Sequence, residues 1–248
     1  MILEYHRPNK IEEALQLLGR ENPPTVPLGG GNLLSRKKGA NFAVVDLQNL
    51  DLNKIRVNSQ VIELGATVTL EEFYQNLEIP EVLRKAVNLD ATANTRNTAT
   101  IGGLIAGGTG QSAVLCVLLA LDARLEWLPG KNIQSLGEFI SMKDKIKPGK
   151  LIRCVQFSRQ AEARMSSVGR SPLDPPFLIV AISQWPSGRT RLVLGGKVAR
   201  PVLAMDGTTV DGIVDAGINA CSQLHNNWIS QNYLINTTTK LIQRLSEA

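Results

Sequence analysis

Apolar and polar positions change their period several times along this chain, and each change predicts an element. Residues 2–5 read as a strand. Over residues 10–20, Ile11, Ala14, Leu15, Leu17 and Leu18 gather near one face, with Glu12 and Glu13 in the first turn, where a helix dipole favours acids. Asn22-Pro23-Pro24 ends that helix, residues 25–28 form a short strand, and the apolar run 42–47 forms another. The chain therefore opens as a β-α-β-loop-β unit. Residues 57–60 then turn into a strand over 61–66. Thr69, with Glu72 three residues on, has the capping-box spacing and starts a helix near Leu70. A further helix follows Pro80 and buries Val82, Leu83, Ala86 and Val87. Another spans residues 112–121, and the strand 123–128 is closed by Pro129-Gly130.

The polar stretch 143–150 (Lys-Asp-Lys-Ile-Lys-Pro-Gly-Lys) predicts a domain boundary. Beyond it, residues 151–157, 177–184 and 191–194 read as strands, 166–176 as a loop, and 210–221 and 233–245 as helices. That boundary separates residues 1–147 from the shorter stretch 148–248.

Two glycine clusters about 70 residues apart interrupt this pattern. Leu28-Gly29-Gly30-Gly31-Asn32-Leu33-Leu34 follows directly on the 25–28 strand. The second cluster runs from Thr98 to Gly110 and reads as a hydroxyl-rich loop. Glycine lets backbone turn through positive φ and approach a ligand closely, and successive amides in such a loop converge on an anion. Taken singly, a turn needing positive φ explains the first cluster better than phosphate binding does, and the second has the alternative reading of a packed polar loop. As a pair they point to a long anionic ligand held from two sides, with a dinucleotide the first candidate. No Gly-Lys-Ser/Thr follows the first cluster and no long helix opens from it, which excludes a P-loop and a Rossmann fingerprint.

Composition narrows the alternatives. Aromatic residues are 4% of the 248, too few for a base-stacking surface. The net charge of +5 is scattered, and its densest run is only Arg36-Lys37-Lys38, so nucleic acid is not an expected partner. The longest apolar run, residues 113–121, is half of what a membrane span needs, and no basic leader precedes an apolar run; a cytoplasmic location is the expectation. Cys116, Cys154 and Cys221 form no CxxC, which predicts buried reduced thiols rather than a metal or iron–sulfur site. His6 and His225 are the only histidines, far apart and read as structural. No acid–base pair or nucleophile stands out, so no catalytic residue is assigned.

The order of segments resembles the FAD-binding medium subunit of the molybdenum hydroxylases, of the carbon monoxide dehydrogenase and xanthine dehydrogenase type, nearly end to end. Tyr5-His6-Arg7-Pro8 with 11–18 is similar to that family's opening. Leu28 to Leu34 is similar to its first flavin loop, and Arg96-Asn97-Thr98-Ala99-Thr100-Ile101-Gly102-Gly103 to its second. Val45-Asp46-Leu47, residues 62–70, residues 118–123 and the turn 194–201 follow at familiar spacing.

The resemblance implies an α+β fold: a two-lobed FAD-binding domain of the PCMH type over residues 1–147, in lobes of about 1–53 and 54–147, with FAD extended between them, and a smaller sheet-plus-helices domain over 148–248 closing over its ring. It implies Leu28, Gly29, Gly30, Gly31, Asn32, Leu33, Thr100, Ile101, Gly102, Gly103 and Thr109 as cofactor contacts. It also suggests Arg96, Arg170 and Asp174 as neighbours. The implied role is electron transfer, from iron–sulfur clusters of a small partner chain, through FAD, to NAD+ or another acceptor. Substrate oxidation falls to a large molybdenum-cofactor chain. Leu104 and Ala113 replace the polar residues usual after the second loop, and Gly107, Gly108 and Gly110 imply a looser segment. These departures leave a second reading: a scaffold or assembly protein that kept the fold and lost the flavin.

Overall fold

The computed structural model describes residues 1–36, 41–143, 146–171, 174–224 and 229–247. Its first lobe holds β1 (Ile2–His6), α1 (Ile11–Leu18), β2 (Thr25–Leu28) and β3 (Phe42–Asp46). All three strands run parallel, with β3 in the middle of the order β1-β3-β2. Each residue of β3 is buried, which is why its sequence, Phe-Ala-Val-Val-Asp, shows no alternation. Ala14 and Leu18 of α1 pack with Val45, Leu47, Leu50 and Leu52 to form the small core of this lobe.

The second lobe begins with β4 (Ile55–Val57), β5 (Val61–Gly65), α2 (Leu70–Gln75) and α3 (Glu81–Asp90). The expected capping box is present: the Glu72 amide donates to Thr69 Oγ1 at 3.1 Å, and the Thr69 amide donates to Glu72 Oε2 at 2.7 Å. Next come α4 (Ala93–Arg96), α5 (Ile101–Gly107), α6 (Ala113–Ala120), β6 (Arg124–Leu128), β7 (Asn132–Ser135), α7 (Leu136–Met142) and β8 (Leu151–Ser158). The strands form an antiparallel sheet in the order β4-β5-β8-β6-β7.

Two expectations need correction here. The second glycine cluster is not a loop through its length: Thr100 caps α5 and accepts the Gly103 amide, and residues 101–107 are helical. A helix so rich in glycine holds because its buried face, Ile101 and Ile105, packs into the core. In addition, β8 pairs between β5 and β6. The boundary expected at 143–150 therefore precedes a central strand of the second lobe, and the change of sheet falls after Ser158.

The C-terminal unit holds β9 (Glu162–Val168), β10 (Leu178–Gln184), β11 (Thr190–Gly196), β12 (Val202–Gly207), α8 (Ile213–Ala220) and α9 (Gln231–Glu247). Its sheet is antiparallel in the order β12-β11-β10-β9. Residues 162–168, of which 166–168 are expected in a loop and the rest in no element, form β9.

Side-chain alternation divides β10 and β11 between two cores. Leu178, Val180, Ile182, Leu192 and Leu194 pack under α8 and α9. Ile179, Ala181 and Val193 pack against α6, whose eight residues are all buried. Ser183 Oγ donates to the Ala120 carbonyl, and Arg189 pairs with Asp122 at 3.0 Å, fixing the end of α6 to this sheet.

Candidate functional site

A cleft of about 570 Å3 lies between the two lobes. Its first-lobe wall is made at the carboxyl ends of the three parallel strands, by Tyr5 on β1, Asp46 on β3 and Leu28 on β2. Carboxyl ends of parallel strands are where open α/β sheets place ligands, because the loops leaving them diverge. Gly29, Gly30 and Gly31 continue the wall from β2, and Gly31 lies at φ +79°, in the left-handed region that favours glycine. The second lobe contributes Thr67, Thr69, Glu72, Asn97, Thr98 and Thr100.

Beside the hydroxyls and carboxamides of Gln48, Asn53, Thr67, Thr69, Asn97, Thr98 and Thr100, the wall offers backbone amides as donors. Among the described residues, the amides of Gly29, Gly30, Gly31, Asn32 and Leu33 donate to no protein acceptor, nor does that of buried Thr100. Five consecutive free N–H groups are the donor set that suits an anion. Among the described residues, no Lys or Arg lines the cleft. Its two carboxylates are both engaged. Asp46, 3% exposed, accepts from the Tyr5 hydroxyl and from the Gln48 amide at 3.0 Å, with Arg7 at 3.8 Å. The hydrogen bond to Asp46 raises the Tyr5 pKa, since it holds the phenol proton in place. Glu72 is occupied by the Thr69 cap.

The second cluster meets the cleft differently. The amides that open α5 are already satisfied: Ile101 donates to Val68 O at 2.9 Å, Gly102 to Ala66 O at 2.8 Å, and Gly103 to Thr100 Oγ1 at 3.2 Å. Its glycines serve contact between elements. A Cβ on Gly102 would stand 2.8 Å from Ala66 O, and one on Gly107 2.4 Å from Leu33 Cδ1. One on Gly110 would stand 2.4 Å from Val198 Cγ2. Gly110 also exchanges backbone bonds with the C-terminal turn, donating to Val198 O at 3.0 Å and accepting from Gly196 N at 2.7 Å. The segment is thus tightly packed rather than loose. Gly29 and Gly30 play a double part, because their Cβ positions fall 2.7 Å from Thr100 Oγ1 and 1.4 Å from the Thr98 carbonyl.

The structure brings Leu28, Gly29, Gly30, Gly31 and Thr100 together on the cleft. Asn32 and Leu33 continue the free amide string, and Leu33 packs on Gly107. Ile101 is fully buried in the core, Gly102 and Gly103 lie in the first turn of α5, and Thr109 is exposed at the far end, outside the cleft lining. Arg96 is tied to Glu71 at 2.7 Å and stacks over Tyr74 at 4.5 Å, and Arg170 pairs with Asp174 at 3.2 Å; none of these lines the cleft. His6 bonds Glu4 at 2.7 Å, and His225 lies outside the described residues.

The residues that sequence reasoning missed are Tyr5, Asp46, Gln48, Asn53, Thr67, Thr69, Glu72, Asn97 and Thr98. Tyr5 and Asp46 lie at the carboxyl ends of their strands, in segments that resemble the family's but were given no contact role.

Away from the cleft, Ala113 opens α6 with its amide on Asp90 Oδ1 at 2.6 Å. Asp90 also takes the Ser112 hydroxyl at 2.6 Å and the Val114 amide at 3.1 Å. The residue keeps some surface, but its carboxylate is enclosed, and burial pushes its pKa up to about 6 against the pull of those three donors. Glu63, Glu126 and Cys154 also converge, but Arg153 sits among them, bonding Glu126 at 2.6 Å and Glu63 at 3.1 Å. That is an ion-pair network on the sheet. All three cysteines are free and buried, and among the described residues no helix is long and apolar enough to cross a membrane.

Comparison with known proteins gives a consistent picture. Residues 1–157 match the family model described as the FAD binding domain in molybdopterin dehydrogenase. The uncharacterized protein YgfM of Escherichia coli K12 is 33% identical over 135 residues, 54% of this chain and 52% of that protein. The carbon monoxide dehydrogenase medium chain of Hydrogenophaga pseudoflava is 32% identical over 114 residues, 42% of this chain and 39% of that one. The chain thus spans about half the length of the curated relatives it matches, or less.

Among solved structures, the Hydrogenophaga pseudoflava carbon monoxide dehydrogenase that lacks the Mo-pyranopterin moiety superposes with a TM-score of 0.82. That match covers 100% of this chain and 97% of that one at 18% identity. Quinoline 2-oxidoreductase from Pseudomonas putida 86 gives 0.78 at 18% identity, covering 99% and 95%. At such identities the likeness speaks to the fold.

Proposed function

Because this chain belongs to the family of FAD-binding domains of molybdopterin dehydrogenases, we propose that it is the flavin-carrying subunit of a molybdenum-hydroxylase assembly. In that role electrons arrive from iron–sulfur clusters on a small partner chain and leave to NAD+ or another acceptor, while a large molybdenum-cofactor chain oxidises the substrate. The observation that carries this reading is the run of free amides from Gly29 to Leu33 at the carboxyl ends of a parallel sheet.

The residues present fit FAD. The free amides suit its pyrophosphate, and the cleft runs on past them along both lobes. When bound, FAD supplies a redox group that accepts a pair of electrons and passes them on singly or as a hydride. The work of this chain is positional. Gly29, Gly30, Gly31 and Thr100 would offer their free N–H groups to the anionic centre, with the amides of Asn32 and Leu33 next in the chain. Tyr5, Gln48 and Arg7 hold the Asp46 carboxylate, and Thr69 holds Glu72, so both are fixed by partners within the protein. The turn around Val198 braces the loop after α5, fixing the C-terminal unit against the lobe that helps form the cleft.

The test is reconstitution. The full chain mixed with FAD and passed through gel filtration should emerge yellow, with flavin in proportion to protein. A colourless protein that ignores excess FAD overturns the reading and favours the scaffold alternative. Affinity capture from the native host should bring down an iron–sulfur chain and a molybdenum chain together; their absence would refute the subunit role.

A further inference from the structure

We propose that Tyr5 is the platform on which the adenine of FAD stacks, an inference that rests on the flavin reading above. Tyr5 is the only aromatic side chain lining the cleft among the described residues. The residue is 56% exposed, yet its hydroxyl is bound to Asp46, which is itself 3% exposed. An open aromatic residue anchored at its tip is preorganised, so a planar ligand stacks on it at little cost in side-chain entropy.

Its place in the sheet decides which end of the ligand it meets. The strand order β1-β3-β2 sets Tyr5 two strands away from the end of β2, where the free amides begin. Neighbouring strands lie about 4.8 Å apart, so the ring stands roughly 10 Å across the sheet edge from the phosphate position. In FAD a single pentose separates the pyrophosphate from adenine, whereas an open five-carbon chain separates it from the isoalloxazine. Two strand spacings suit the nearer ring. Gln48, which follows the intervening strand β3, lines the stretch between them and offers a polar side chain where the pentose hydroxyls would lie.

Two variants separate the ring from its anchor. Tyr5→Phe and Tyr5→Leu both remove the hydroxyl from Asp46, but only Tyr5→Leu removes the aromatic face. The full chain, freed of flavin, is titrated with FAD by flavin fluorescence, and ADP is measured by displacement of FAD. Relative to Tyr5→Phe, Tyr5→Leu should weaken both FAD and ADP by the same factor, on the order of tenfold, as expected for loss of one base–aromatic stack. Equal FAD affinity in the two variants overturns the inference. So does a loss for FAD with ADP unchanged, because Tyr5 would then serve the other end of the molecule. If the wild-type chain takes up no FAD at all, the flavin reading fails first and this inference with it.

Discussion

Replacing Gly30 by alanine should cost both stability and flavin. The added Cβ would lie 1.4 Å from the Thr98 carbonyl oxygen, whereas real Cβ atoms essentially never approach closer than 3.0 Å. One backbone must therefore retreat by roughly 1.6 Å, far more than a packed interior absorbs without loss. The Thr98 side is well held. Its amide and that of Ala99 donate to Thr95 O at 3.1 and 2.8 Å, Leu70 N donates to Ala99 O at 2.8 Å, and Ile101 N to Val68 O at 2.9 Å. Breaking that set would forfeit about 1 kcal/mol per bond.

The glycine loop is held less firmly, by Leu47 N on Leu28 O at 3.0 Å and Ser35 N on Gly31 O at 3.1 Å, so the loop yields. Its displacement should cost about 2–3 kcal/mol, which for a chain of this size lowers Tm by roughly 4–12 °C. It also moves the free amides away from Thr100. Gly103→Ala is the control. Its Cβ would meet only Thr100 Oγ1, at 3.1 Å, and alanine is a better helix former by about 1 kcal/mol. Thermal unfolding by circular dichroism, with FAD uptake on the same samples, should show Gly30→Ala impaired in both and Gly103→Ala in neither. Equal behaviour of the two variants would refute the contact argument.

Further outcomes follow from the caps. Asp90 has its pKa raised to about 6 by burial, so the folded state binds its proton more tightly than the unfolded chain does. That contribution is fully present below the unfolded value near 4 and is lost as pH rises through about 6. The stability of the wild type relative to Asp90→Asn should therefore grow by about 1 kcal/mol between roughly pH 7.5 and pH 5, measured by urea unfolding. The opposite slope would show that the three donors, rather than burial, govern the carboxyl. Thr69→Ala removes the capping box of α2 and should cost about 1 kcal/mol in the same assay, whereas an unchanged midpoint would mean that packing alone holds that helix.

Legibility in the sequence followed burial. The central strand β3 of the first lobe, the amphipathic α1 and α3, and the apolar α6 stand out because one face, or all of it, meets a core. β9 did not. Glu-Ala-Arg-Met-Ser-Ser-Val is half-buried along its length at a sheet edge, and without a buried face it reads as loop. α7 was missed although Ser135 and Glu138 supply a capping box, because the short strand before it is largely polar. The glycines of α5 concealed a helix, since their role is to admit Ala66 and Leu33 and local propensity says the reverse.

At the site, Gly29 to Gly31 were legible because a glycine run after a strand has few uses. Apart from Thr100, the second-lobe residues were not, since Thr67, Thr69 and Asn97 reach the cleft only through the tertiary fold. Nor could spacing tell that the amides of Ile101, Gly102 and Gly103 are satisfied within the protein.

The small core of the first lobe bears on how the chain comes apart. α6 joins the second lobe and the C-terminal sheet into one continuous hydrophobic cluster, so these two should melt together. The first lobe rests on a separate cluster of eight buried residues, two of which, Leu128 and Leu151, are borrowed from its neighbour. It is the natural unit to open on its own, and it carries the free amides. A ligand spanning the cleft is therefore also a staple: by binding both lobes it closes the weakest seam, and the apoprotein should be cut by protease in residues 1–53 before anywhere else.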